Sequence, residues 1–211
     1  MLLKRKMLVA SLVAVAGVAQ AQPVRNITLE QIGRYETGVF DEGASEIVAF
    51  DAGSQKLFVI NADAKSVDLL DLSNPALPLL AGVIDVSVDI ADAGGVNSVA
   101  VHEGLVAIAV EHHDKQSNGW AAFYDFDGNY LAHFEAGALP DMITYTPDGR
   151  YVLMANEGEP SDDYSNDPEG SVTIIDIKKG LDQARVKTAG FRKYNGKSPR
   201  GVRISGPRRV W

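Results

Sequence analysis

The densest concentration of potential chemistry in this sequence is NEGEPSDDYSNDPEG, Asn156 to Gly170. Six of its fifteen residues are acidic: Glu157, Glu159, Asp162, Asp163, Asp167 and Glu169. Like charges packed this closely between two apolar runs repel one another unless water, salt or a cation screens them. A hard cation such as calcium takes several carboxylate and carbonyl oxygens, and Glu157, Asp162, Asp163 and Asp167 are its candidate ligands here. Their spacing does not follow the EF-hand pattern. Pro160 and Pro168 restrict the loop, which suits a preformed cation site and a rigid solvated connector equally. Both readings stand at this level.

Two other constellations invite metal chemistry. Glu111-His112-His113-Asp114 offers imidazole and carboxylate ligands, but adjacent histidines in an extended segment point to opposite faces, so an exposed loop is the better reading. A two-metal phosphatase needs many Asp and His ligands with an activated water. The chain holds four histidines, and His102 and His133 stand alone in strand-like runs. No G-x-S-x-G elbow or P-loop occurs. The residues therefore name no catalytic group.

The elements that must position these groups come in repeats. Glu46 to Leu72, Asn97 to Phe126 and Asp141 to Ile177 share one order: a short strand-like run, a turn, an almost continuous apolar run, a variable loop, and a third run ending in aspartate and a bulky apolar residue. The turns are Asp51-Ala-Gly-Ser, His102-Glu-Gly and Thr146-Pro-Asp-Gly, the last a hairpin signal because Pro147 presets φ and Gly149 tolerates φ > 0. The terminal aspartates Asp71, Asp125 and Asp176 stand 54 and 51 residues apart. Because they recur in every repeat they read as structural, bonding turn backbone at a strand end. A fourth apolar run follows each: Leu77 to Val86, Tyr130 to Phe134 and, more weakly, Val186 to Phe191. Four antiparallel strands at this period predict an all-β fold, a β-propeller of four-stranded blades, in preference to a β-sandwich. Three repeats fall short of the four to eight blades that close a propeller, so the expected propeller is incomplete. Asn26 to Asp41 has the look of one extra leading strand.

The termini differ from this body. Lys4 to Lys6 and the apolar Met7 to Ala19, followed by Ala19-Gln20-Ala21, form a secretory signal peptide over residues 1–21, with cleavage expected after Ala21. The mature chain then has no apolar run long enough to span a bilayer, and its expected place is the periplasm, the cell surface or the extracellular space. There is no cysteine, so stability in that setting must come from packing or bound ions. The formal charge of −8 is unevenly spread: residues 22–180 carry a net −19, whereas residues 181–211 hold nine basic residues against Asp182. So acidic a body excludes nucleic acid and anionic membranes as partners and leaves an unknown extracellular ligand. The expected divisions are the signal peptide, the N-terminal part of a propeller over 22–180, and a basic, poorly ordered, incomplete next-blade segment over 181–211.

Gly38 to Pro75, Asn97 to Glu111 and Gly137 to Ile177, above all the run GALPDM…TPDG…ANEGEPSDDY…DPEGSV, resemble the choice-of-anchor I family, which is related to the mesenchyme-specific cell-surface glycoprotein of echinoderms. The resemblance implies a secreted or surface-displayed propeller, usually about twice this long, with a C-terminal anchor of variable type. Some members carry an alkaline phosphatase label, and the echinoderm relatives are associated with calcium mineral. Against that pattern the chain reads as a truncated or frameshifted member. Two functions follow as expectations. One is a non-catalytic module that binds ions, glycans or proteins, with calcium as its one candidate cofactor. The other is a metal-dependent phosphomonoesterase that draws further ligands from other blades. Export gives the first test: protein recovered from a secreting host should begin at Gln22 on N-terminal sequencing, and cytosolic protein beginning at Met1 would refute the signal peptide.

Overall fold

The computed structural model describes residues 27–194 and 200–201; the signal peptide lies outside them, as does most of the segment after Tyr194. Each repeat becomes one antiparallel sheet with its strands in chain order. The first sheet comprises β1 (Val48–Asp51), β2 (Lys56–Asn61), β3 (Ser66–Asp71) and β4 (Leu79–Asp85). The second comprises β5 (Ala93–His102), β6 (Leu105–His112), β7 (Asn118–Asp125) and β8 (Tyr130–Ala138). The third comprises β9 (Pro140–Tyr145), β10 (Tyr151–Asn156), β11 (Ser171–Asp176) and β12 (Arg185–Gly190). Lys56 pairs with Asp71, Leu105 with Asp125 and Tyr151 with Asp176, so the strand-end aspartates fix one common register for all three sheets.

The turns form because short polar side chains satisfy their backbone. Gly149 takes φ 64° and donates its N–H to the Thr146 carbonyl at 2.8 Å, while Asp148 accepts from the Thr146 hydroxyl at 2.6 Å. The aspartates do as their recurrence implies. Asp71 accepts the Ser73 N–H at 2.7 Å, Asp125 those of Asp127 and Asn129 at 2.9 Å, and Asp176 that of Lys178 at 3.1 Å. The Ser73 N–H holds the Asp71 carboxyl below the usual carboxylate range, and the Asn129 side-chain amide, at 2.8 Å, does most to hold that of Asp125 there. Local satisfaction of this kind closes each hairpin without help from the core.

Packing then stacks the sheets face to face. The first strands lie side by side, β1 against β5 and β5 against β9, as innermost strands of neighbouring blades do. The Ile143 N–H reaches the Ser98 hydroxyl at 3.3 Å, and the Asn97 amide reaches the Pro140 carbonyl at 2.8 Å, which ties β5 to β9. The second sheet is covered on both faces, so alternation along a strand separates two cores. Val106, Ile108, Val110, Ala122 and Tyr124 join Phe58, Ile60, Val67 and Leu69 of the first sheet. Ala107, Ala109, Ala121 and Phe123 join Ile143, Val152, Met154 and Ile175 of the third. The face of β6 toward the first sheet is therefore built of large aliphatics, and the face toward the third of alanines.

Two expectations are corrected. Residues 27–47 form no strand, against the leading strand expected from Asn26 to Asp41. Residues 32 onward belong to one compact unit and residues 27–31 to another, and neither part of the stretch is paired in a ladder. Its end is tied to β2 by isolated bonds, Glu46 N–H to the Ile60 carbonyl at 3.1 Å and Ile60 N–H to the Ile47 carbonyl at 2.8 Å. A strand needs a continuous partner edge, which two bonds do not supply. The third blade also runs past residue 180: Arg185–Gly190 pairs with β11 along its length as the fourth strand. The weak apolar run Val186 to Phe191 was the better guide there than the break in charge.

One bond pair joins two blades at their turn end. The Lys56 ammonium donates to the Phe126 carbonyl at 2.8 Å and to the Asp127 carboxylate at 2.7 Å. The Lys56 side chain is 24% exposed and that of Asp127 79%, so the carbonyl is the partner water replaces less well. Lys56→Met keeps the stem and removes both bonds; urea unfolding should show a loss of roughly 1.5 kcal/mol. Asp127→Asn removes an exposed ion pair and should cost under about 0.5 kcal/mol. Equal costs would show that the carbonyl bond contributes nothing.

Candidate functional site

The acidic stretch is the β10–β11 connection of the third blade, and its entry is fixed by Glu157 N–H to the Leu139 carbonyl at 2.9 Å and Gly158 N–H to the Ala138 carbonyl at 3.2 Å. Its tip folds on itself. Ser161 N–H bonds the Asn166 carbonyl at 2.7 Å, and Asp163 Oδ1 accepts from Ser161 Oγ at 2.8 Å, Ser165 Oγ at 2.7 Å and Ser165 N–H at 3.0 Å. Three donors on one oxygen hold the Asp163 carboxyl well down, to about 2. Gln116 of the β6–β7 loop donates to the Glu159 carbonyl at 3.2 Å, which links the two loops.

Of the four candidate calcium ligands, Glu157, Asp162, Asp163 and Asp167 are all exposed. Among the described residues no three acidic or histidine side chains are grouped so as to hold a metal ion. In this arrangement the loop is shaped by its own hydroxyls and amides, three of which converge on Asp163 Oδ1. The histidine pair is likewise engaged elsewhere. His112 stacks on Trp120 with ring centroids 5.4 Å apart and accepts the Asp114 N–H at 2.9 Å, while His113 faces the Asp92 carbonyl at 3.3 Å.

What the loop does build is one wall of a cleft. Pro168, Glu169 and Gly170 are shared by two adjoining spaces of about 550 and 500 Å³. The first is lined also by Asp167, Phe191 and Arg192. The second lies between β8 and β12, where Phe134 and Ala136 face Val186, Thr188 and Gly190. Beneath Gly137 and Ser171 sits Asn156, which is 3% exposed. Its amide nitrogen bonds the Ser171 hydroxyl at 3.0 Å and the Thr173 hydroxyl at 2.9 Å, yet its Oδ1 is buried without a partner. Such an orphaned acceptor costs free energy and is uncommon in native interiors.

The junction between the first and second blades has the same construction with larger groups in it. Val86 and Ile90, in the connection that follows β4, are buried there with Tyr124, whose hydroxyl bonds Asp89 at 3.1 Å. Burial and that neighbouring carboxylate push the Tyr124 phenol well above its ordinary value. Counted back from the strand-end aspartates, Trp120 at the first junction answers to Ser171 at the second, and His133, the register partner of Ala122, answers to Thr188, the register partner of Thr173. Large rings fill one junction and small side chains leave the other open. Sequence reading missed this cleft, since the small residues that leave it open, Gly137, Ser171, Thr188 and Gly190, carry no signal of their own. The signal that could have found it is the loss of bulk between equivalent repeat positions.

Four-stranded antiparallel sheets stacked around shared inner strands define consecutive blades of a β-propeller. The chain belongs to the choice-of-anchor I family, whose domain matches residues 46–210. No curated protein sequence matches it. Among solved structures, hydrazine synthase of Kuenenia stuttgartiensis is similar at 19% identity and TM-score 0.52, over 70% of this chain and 37% of that one. A luciferin-regenerating enzyme is similar at 14% identity and TM-score 0.49, over 70% of this chain and 47% of that one. The chain thus spans under half the length of either, and at such identity the likeness concerns the fold alone.

The short bonds on Asp163 give a direct test. Its folded-state value lies below the ordinary 3.8, so its contribution is present above the ordinary value and is lost as pH falls toward 2. Side-chain carboxyl NMR should place its midpoint well below the ordinary value, and Ser165→Ala should move it up. A midpoint unaffected by that substitution would remove the loop geometry described here.

Proposed function

We propose that this protein is an exported, non-catalytic binding module of the cell surface or extracytoplasmic space. The observation that carries the reading is the break in repeat symmetry between the two blade junctions: the acids common to all blades are committed to turn amides, whereas Trp120 and His133 at the first junction give way to Ser171 and Thr188 beside the cleft. Loops on a rigid scaffold are where recognition groups sit, and a cleft of several hundred Å³ with a few converging polar groups suits a ligand. The β10–β11 loop serves in this reading as a rim of the cleft. A calcium ion on Glu157, Asp162, Asp163 and Asp167 would reach Asp163 through Oδ2, since Oδ1 already accepts three loop donors. Export is supported by the N-terminal basic and apolar runs, and no helix among the described residues is long and apolar enough to cross a membrane.

A phosphomonoesterase would instead show turnover that depends on metal. The purified chain incubated with p-nitrophenyl phosphate and calcium, magnesium or zinc should release no p-nitrophenol above the buffer blank. Release that EDTA abolishes and that metal restores would overturn the binding-module reading.

A further inference from the structure

We propose that His112 is a pH-sensitive latch between two loops: when its Nδ1 takes up a proton, the β6–β7 loop lets go of the acidic β10–β11 loop. The inference goes beyond the binding-module reading and holds whatever ligand that module takes. It starts from one lone pair. The Asp114 N–H donates to His112 Nδ1 at 2.9 Å, and an imidazole nitrogen accepts only while it carries no proton. The ring is therefore neutral in this arrangement, with its proton on Nε2. Histidine is the side chain that ordinarily changes charge between about pH 5 and about pH 8. A proton added to Nδ1 sets one N–H against another, so the bond from Asp114 is lost rather than weakened.

That bond is the first link of a chain that crosses from the second blade to the third. Asp114 accepts the Gln116 N–H on Oδ1 at 3.2 Å and the Ser117 hydroxyl on Oδ2 at 2.8 Å, which closes the turn. Gln116, so placed, donates its side-chain amide to the Glu159 carbonyl at 3.2 Å. The surrounding charges act in the same direction. The Asp114 carboxyl is held below its ordinary value first by the Ser117 hydroxyl, then by the Gln116 N–H, and also by the two imidazoles beside it. A charged His112 thus competes with Ser117 and Gln116 for that carboxylate. His113, with its ring centroid 4.4 Å from that of His112, disfavours two charged rings where they now stand. Its own partners are the Asp92 carbonyl at 3.3 Å and the Asp92 carboxylate at 3.7 Å. Glu111 is occupied by the Gly95 N–H and the Asn97 amide. Glu135, the register partner of Trp120, accepts the Asn118 amide, and Lys115 is exposed. Of these carboxylates, that of Asp114 belongs to the histidine's own turn, and it is the one that positions Gln116.

NMR on the isotope-labelled whole chain, between about pH 8 and about pH 5, tests the latch. At the upper end His112 should show an unprotonated Nδ1, and the Asp114 amide should be protected from exchange. As His112 titrates, the protection factor of that amide should fall roughly fivefold, as loss of one hydrogen bond implies. The Gln116 side-chain amide and the Glu159 and Ser161 backbone amides should shift with the same midpoint. His112→Gln keeps an acceptor that does not titrate, so Asp114 should stay protected throughout and the shared shift should vanish. Gln116→Ala should leave the Asp114 response in place and remove the shift at Glu159 and Ser161. His113→Gln should leave both responses in place. The amide spectrum of each variant verifies that it is folded. An Asp114 amide whose protection does not change while His112 titrates would overturn the proposal. So would a shift at Glu159 and Ser161 that persists in His112→Gln or Gln116→Ala, since it would belong to the loop's own carboxyls. Loss of the response in His113→Gln would likewise overturn it, by making His113 the titrating group.

Discussion

The structure depends on one constraint: a blade apolar on both faces is stable only between two others. β6 shows the consequence in its sequence, LVAIAVEH, where Val106, Ile108 and Val110 are buried on one side and Ala107 and Ala109 on the other. Burial on both faces removes the polar alternation that marks a half-exposed strand. It also sets the spacing of the sheets. Large side chains on the face toward the first blade meet Phe58 and Ile60, whereas the alanine face lets the third blade approach closely. Gly119 marks how close: a side chain there would run into the Val110 carbonyl at 2.3 Å and the Pro140 ring at 2.8 Å. Blade contact near the axis is therefore tight, and any opening between the second and third blades must lie at their outer strands.

How much of this was readable in advance follows from where the signals are local. Turn chemistry is local, so the Thr146-Pro-Asp-Gly hairpin and the strand-end aspartates were legible, down to the role of Asp71, Asp125 and Asp176 as acceptors for turn amides. The apolar runs gave the second and third strands of each blade. The fourth strand of the third blade was barely visible because RVKTAG is exposed along its whole length and carries charge where its counterparts carry aliphatics. The leading strand was misread for the opposite reason: Asn26 to Asp41 has an acceptable composition for a strand, but composition cannot supply a partner. Among the site residues, the candidate carboxylates were placed correctly on the β10–β11 loop, while their mutual arrangement depended on hydroxyl and amide donors that only the folded loop brings to Asp163. Asn156, Gly137 and Gly190 could not be singled out, since each matters through what a neighbouring blade places next to it.

Repetition gives the comparison its force. In a protein built from equivalent units, a residue type that recurs serves the unit, and one that departs from its equivalents serves something particular to its position. Asp51, Asp71, Asp125, Asp148 and Asp176 all stand at turns of one end of the blades, and each accepts at least one backbone N–H there. Their charge is absorbed by local dipoles. At the other end the connection of the third blade carries Glu157, Asp162 and Asp167, which among the described residues have neither a turn amide nor a cation.

That difference gives the body a polarity that its net charge alone does not convey. Carboxylates already bonded to amides present a weakened field to solvent, whereas free ones on a projecting loop present nearly all of theirs, within the reach set by ionic strength. The cleft that the β10–β11 loop rims lies at the junction where Trp120 and His133 of the second blade give way to Ser171 and Thr188 of the third. The loop's exposed carboxylates and this loss of bulk thus fall at one end of the third blade, and both are departures from the repeat rather than features of it.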